Sequence, residues 1–119
     1  MSAKRILVVD DEASIRELYR EELSESGYSV ETAASAREAL QAVKTSAPDL
    51  VTVDIKMPEE DGISLLREIK ERWPRLPVVI CTAYPVYRQE FGAWASDAYV
   101  VKSADLGELK KTLRTILGE

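Results

Sequence analysis

Short apolar runs alternate with longer amphipathic segments along this chain, and that rhythm limits its possible folds more than any other feature. Arg5 to Val9 (RILVV) is apolar after its first residue, the pattern of a strand buried on both faces. From Ser14 to Ser26, Ile15, Leu18, Tyr19 and Leu23 form one helical stripe, with Arg16, Glu17, Arg20, Glu21 and Glu25 outside it and Gly27 as a stop. Tyr28 to Ala33 reads as a second strand. Ser35-Ala36-Arg37-Glu38 has the form of a capping box, and Ala39, Leu40 and Val43 carry the helical period toward Pro48. Leu50 to Val53 is a third strand ended by Asp54. A loop leads to a helix over 62–73, with Ile63, Leu66 and Ile69 at helical spacing and Pro74 just beyond. Val78 to Cys81 and Ala98 to Val101 read as strands four and five. Asp105 with Glu108 starts a last helix whose apolar face is Leu106, Leu109, Leu113, Ile116 and Leu117. Five β-α units in succession predict an α/β fold, a doubly wound parallel sheet with helices on both faces.

With 119 residues the chain suits one domain, read here as 1–119. The absence of histidine and the single cysteine, Cys81, remove imidazole metal sites, Ser/His or Cys/His catalysis and intramolecular disulfides. Chemistry must then come from carboxylates, lysine, hydroxyls or backbone. A formal charge of −5 argues against direct nucleic-acid binding, which needs a basic face. No apolar run approaches the roughly 20 residues of a membrane span, and MSAKRILVV reaches Asp10 too soon for a signal peptide. Cytoplasmic residence without membrane insertion is the resulting expectation.

In open α/β sheets ligands bind beyond the carboxyl ends of the strands. Asp10 and Asp11 follow strand one, Asp54 strand three, Thr82 strand four and Lys102 strand five, so parallel strands bring all five to one edge. Each has a blander reading. An Asp can cap the first helix or end a strand in a turn, and a lone lysine can snorkel from a strand end. Cys81 reads as an inert core residue. Together, however, three converging carboxylates repel one another unless a cation sits among them. All-oxygen donors point to Mg²⁺. Lys102 and Thr82 can then offer a charge and a hydroxyl to a phosphoryl group on the nucleophilic carboxylate.

These residues resemble the receiver domains of two-component response regulators. The resemblance covers nearly the whole chain, through "VVDDE" (Val8 to Glu12), "DIKMPEEDG" (Asp54 to Gly62), "TA" (Thr82, Ala83) and "DAYVVK" (Asp97 to Lys102). It implies a flavodoxin-like receiver fold with five helices and a five-stranded sheet in the order 2-1-3-4-5. It also implies that Asp54 is the phosphoacceptor, that Asp10 and Asp11 hold Mg²⁺, and that the Lys56 backbone carbonyl completes the metal shell. Thr82, Ala83 and Lys102 would bind the phosphoryl oxygens, and Tyr99 would change exposure as Thr82 moves. Lys56 and Tyr84 would tune the phosphoryl lifetime, which a tyrosine ring crowding the attacking water should lengthen. The first helix around Ile15 and the loop at Ser103 would meet the donor, a sensor histidine kinase or histidine phosphotransfer domain. The fourth helix, strand five and the fifth helix would signal to a downstream effector protein, with a homodimer as an alternative result of phosphorylation. On this reading the protein is a regulatory phosphoacceptor, not an enzyme.

Two features depart from the family pattern. Receivers usually follow the lysine with a cis proline, whereas Ser103 stands here. A cis bond before a non-proline residue costs about 3 kcal/mol, so a trans bond or a mixture is expected. The segment AYPVYRQEFGAWAS is short for a fourth helix and carries Gly92 in its interior. Two other function classes remain. A Mg²⁺-dependent aspartyl phosphohydrolase would want a second carboxylate where Lys56 stands, and a phosphorylation-independent adaptor would not need the acidic residues.

Overall fold

The structure is a computed structural model that describes residues 3–54, 56–57, 60–82, 98–101 and 106–118. Its centre is β1 (Arg5–Val9), whose Ile6, Leu7, Val8 and Val9 are each at most 1% exposed. Withdrawing such side chains from water on both faces of one strand contributes about 1.5–3 kcal/mol apiece. Parallel neighbours flank it, β2 (Ser29–Ala33) on one side and β3 (Leu50–Val53) on the other. Beyond β3 lie β4 (Val78–Thr82) and β5 (Ala98–Val101), so the five-stranded parallel sheet has the order 2-1-3-4-5.

The pleat sorts the core into two layers. Leu7, Val9, Val51, Val53 and Ile80 face α2 (Ala36–Ser46) and α3 (Gly62–Arg72), meeting Ala39, Val43, Leu66 and Ile69. Ile6, Val8, Leu50, Val79, Cys81 and Val100 face the other way, onto Tyr19 and Leu23 of α1 (Ala13–Glu25) and Leu109 and Leu113 of the C-terminal helix (Gly107–Leu117). Between those last two helices, Lys110 Nζ lies 3.0 Å from Glu22 Oε1.

The helix stops act where the sequence places them. Gly27, at φ +99°, reverses the chain after α1, with its N–H donating to the Ser24 carbonyl at 3.0 Å and the Tyr28 N–H to Leu23 at 3.1 Å. That pair of bonds satisfies carbonyls left open at the helix end. The Ser35 hydroxyl accepts the Glu38 N–H at 3.2 Å, and Glu38 Oε1 accepts the Ala34 N–H at 3.2 Å, so the box closes one residue upstream of its usual partner.

Three boundaries differ from the sequence reading. Tyr28 belongs to the turn before β2 and is buried beneath it. The C-terminal helix starts at Gly107 with Leu106, 5% exposed, at its N-cap, and Asp105 lies outside the described residues. The segment after Asp54 contains a two-residue antiparallel ladder, Lys56–Met57 against Glu60–Asp61, instead of plain loop. The expected fourth helix and the Lys102-Ser103 peptide lie outside the described residues.

Candidate metal and phosphoacceptor site

Sheet register builds the site. Val9 pairs with Val53, and one step further the Asp54 N–H donates to the Val9 carbonyl at 3.1 Å while the Asp10 N–H donates to Ala33 at 3.1 Å. Asp10 and Asp54 therefore end adjacent strands at the same level. By pleat parity Asp10 continues the face of Ile6 and Val8, and Asp54 that of Leu50, so both carboxylates turn toward α1. Asp11, the next residue, joins them, and carboxylate oxygens of Asp10, Asp11 and Asp54 lie within 4.8 Å of one another. Asp10 is 2% and Asp54 4% exposed, whereas Asp11 is half-exposed.

Two buried anions and a third at their rim form an electrostatic hot point. At an effective dielectric near 20, the buried Asp10–Asp54 pair at this separation repels by roughly 3 kcal/mol, and the pairs made with half-exposed Asp11 by less. One backbone N–H and one guanidinium answer part of this. Asp10 Oδ1 accepts the Glu12 N–H at 3.0 Å, and the Arg16 guanidinium donates to the Asp10 main-chain carbonyl at 2.8 Å. The N-cap of α1 is Glu12, and it makes no side-chain cap bond. Asp10 thus braces the helix entry and stays within the cluster, so its capping-like and pocket roles coexist. Helical periodicity places Arg16 on the outer face of α1. Its fold-back onto the strand end had no signal in the sequence.

In the layer toward which these carboxylates turn is a second polar pair that the sequence did not reveal. Ile80 pairs with Val53, which puts Cys81 level with Asp54, and Cys81 shares its buried layer with Tyr19 of α1. The Tyr19 hydroxyl donates to the Cys81 sulfur. Burial above all, then the neighbouring Cys81 and the charges of Asp10 and Asp54, push the Tyr19 phenol far above its ordinary value and keep it neutral. A neutral phenol and the buried Cys81 sulfur therefore lie in the layer that ends in Asp10 and Asp54.

The remaining sequence candidates are placed unevenly. Thr82 ends β4, paired with Val101 of β5, and Tyr99 lies in β5 opposite Ile80. The Lys56 backbone begins the short ladder, paired with Asp61. Ile15 is partly buried, packed against the layer of α1 and the C-terminal helix. Ala83, Tyr84, Lys102 and Ser103 lie outside the described residues.

The donor set fits a hard divalent ion: three carboxylates, two of them buried, with no nitrogen or thiolate among the clustered groups. Among the described residues, no helix is long and apolar enough to cross a membrane.

Comparison with known proteins agrees with this geometry. The model of the response regulator receiver domain matches residues 6–114. The response regulator MprA of Mycolicibacterium vanbaalenii is 37% identical over 115 residues, covering 95% of this chain and 50% of that protein. The chain thus spans half the length of that relative. The transcriptional regulator NtrC of Klebsiella pneumoniae is 40% identical over 103 residues, 85% of this chain and 22% of that protein. Among solved structures, the response regulator TrrA of Thermotoga maritima in complex with Mg²⁺-BeF superposes with a TM-score of 0.92 at 44% identity, covering 95% of this chain and 98% of that one. TrrA in complex with the histidine kinase ThkA gives 0.90 at 45% identity, covering 96% and 98%. The paired strand-end carboxylates, the 2-1-3-4-5 sheet and these matches together show that the chain belongs to the response regulator receiver domain family.

Proposed function

We propose that this receiver takes a phosphoryl group on Asp54 from a phosphohistidine of a sensor histidine kinase or a histidine phosphotransfer domain. The observation that carries the reading is the meeting of Asp10, Asp11 and Asp54 carboxylates within 4.8 Å at the carboxyl edge of the sheet. Two similar structures lend it support, TrrA with Mg²⁺-BeF and TrrA with the kinase ThkA. Asp10, Asp11 and Asp54, with the Lys56 carbonyl, would hold Mg²⁺, which when bound neutralises charge on the phosphoryl oxygens and orients them. An Asp54 carboxylate oxygen attacks phosphorus in line, the P–N bond breaks, and the electron pair leaves with the imidazole, which takes up a proton. The Lys102 ammonium, the Thr82 hydroxyl and the Ala83 N–H balance the charge spread over the phosphoryl oxygens. Asp10, braced by the Glu12 N–H, keeps its place as this charge changes.

Hydrolysis reverses the loading. Water attacks phosphorus, the bond to Asp54 breaks, and carboxylate and inorganic phosphate result. Lys56 and Tyr84 tune that step, and Tyr84→Ala should shorten the phosphorylated half-life by opening the water's path. An unchanged half-life would remove the steric account. The bound dianion draws Thr82 inward, Tyr99 follows, and the surface formed by the fourth helix, β5 and the last helix changes its affinity for an effector protein or a second copy. Ile15 and Ser103 belong to the donor-docking surface. Residues 1–119 act as one receiver unit in the cytoplasm, a regulatory phosphoacceptor with no substrate turned over in bulk. The acidic cluster argues against a phosphorylation-independent adaptor, which would not need it.

Incubation with acetyl phosphate and Mg²⁺ followed by intact-mass measurement tests the reading. Wild type should gain one phosphoryl group that hydroxylamine removes, and Asp54→Asn should gain none. A wild type that stays unmodified, or an Asp54→Asn protein modified equally, defeats it.

A further inference from the structure

At the opposite, amino-terminal edge of the sheet, a groove of about 690 Å³ opens between the end of α2 and the turn after α3. Its walls include Val43, Ala47, Pro48, Trp73, Leu76 and Pro77, and Lys44, Arg72 and Arg75 stand at its rim. We propose that this groove docks an acidic segment of a partner protein, an apolar side chain seated against Trp73 and flanking carboxylates paired with Lys44 and Arg75. The inference does not rest on phosphorylation of Asp54, which lies at the other end of the strands.

The charge arrangement carries it. Cations near helix carboxyl ends ordinarily serve the open carbonyls there. Here Arg5 Nη1 takes the Ser46 carbonyl at the end of α2 at 2.6 Å, and Lys70 Nζ is engaged by the Leu76 carbonyl of the turn after α3 at 2.8 Å. Arg72 is held by Glu68 at 3.1 Å and lies 5.9 Å from the centre of the Trp73 ring. Lys44 and Arg75 are left exposed, and among the described residues neither has an ion-pair partner. Among the described residues, the one carboxylate in the lining, Asp49, already accepts the Arg5 N–H at 2.8 Å. A chain of net charge −5 therefore presents a local surplus of positive charge around an apolar, aromatic floor. That combination complements an anionic peptide with one apolar anchor, since aromatic anchors and rim charges divide the work of affinity and specificity in such interfaces. Two free cations are too few for a nucleic-acid backbone, and the acidic chain as a whole repels its own copies.

The test uses two capped synthetic hexapeptides, one alternating glutamate with leucine and phenylalanine, the other with lysine in place of glutamate. Each is titrated into the ¹⁵N-labelled protein. The acidic peptide should perturb the Ala47 and Leu76 amides and the Trp73 indole, and the basic one should not. Lys44→Glu with Arg75→Glu should weaken binding about tenfold or more, as should raising salt from about 0.05 to 0.5 M. Lys44→Gln with Arg75→Gln, should the reversal disturb folding, should give a smaller loss in the same direction. Equal binding of both peptides, unchanged affinity in the variants, perturbations confined to the Asp10 edge, or a concentration-dependent dimer covering these residues without peptide would each overturn the proposal.

Discussion

Asp54→Asn should make the metal-free protein more stable, because it removes an anion from a cluster that folding forces together. Asp54 is 4% exposed and has carboxylate oxygens of Asp10 and Asp11 within 4.8 Å. At an effective dielectric near 20 the buried Asp10 pair repels by roughly 3 kcal/mol, while half-exposed Asp11 faces water and adds about 1 kcal/mol or less. The asparagine forfeits part of the hydrogen bonding the carboxylate makes, worth about 1–2 kcal/mol for a charged acceptor. A net gain of about 1–3 kcal/mol follows, and at about 4 °C per kcal/mol for a chain of this size the melting temperature should rise by roughly 4–12 °C. Asp11→Asn, which relieves only partly solvated pairs, should gain about 1 kcal/mol at most. Urea unfolding at pH 7 and low ionic strength, in the presence of chelator, measures both. An Asp54→Asn protein no more stable than wild type, or an Asp11→Asn gain equal to it, would refute the picture of two buried like charges held by the sheet register.

Two further outcomes follow from the same geometry. Tyr19 is held neutral in the folded protein, its folded pKa lying above the value near 10 it takes when unfolded. Its contribution is therefore complete below about pH 10 and declines as pH rises beyond that, since the unfolded chain then binds one proton fewer, a slope of up to about 1.4 kcal/mol per pH unit. The difference between wild type and Tyr19→Phe in urea unfolding should be flat from pH 7 to 9 and turn downward for wild type above about 10; a difference independent of pH would contradict it. Ala47 closes α2 at φ +48°, a conformation that suits glycine better, so Ala47→Gly should stabilise by about 1 kcal/mol, and destabilisation in thermal melts would contradict the backbone argument.

The strands were legible where an apolar run of four or five residues left no alternative face for water, as at Ile6 to Val9 and Leu50 to Val53, both wholly buried. Helix ends were legible where the chemistry is local: Ser35 with Glu38, and Gly27 at positive φ. Strand direction alone sends Asp10, Asp11 and Asp54 to one edge, since parallel strands have only one carboxyl edge, and the adjacency of β1 and β3 then brings them together. What sequence could not show depends on contacts made across the fold. Arg16 sits at an outward helical position, and only a long guanidinium arm reaching back to Asp10 draws it into the site. The Tyr19 to Cys81 bond needs the register of β4 against β3, which no local pattern encodes. The C-terminal helix begins at Gly107 behind Leu106, whose burial depends on packing across the fold that no local start signal encodes. The sheet order itself came from family resemblance, and the register then showed why β1 and β3 must be neighbours.

The central claim is that the Asp10, Asp11 and Asp54 carboxylates form a seat for a divalent cation. Calorimetric titration of the chelator-treated protein with Mg²⁺ tests it most directly. One ion per chain should bind, with affinity lost in Asp10→Asn and strongly reduced in Asp54→Asn. Absence of binding to the wild type, or binding that survives unchanged when Asp54 loses its charge, would contradict it.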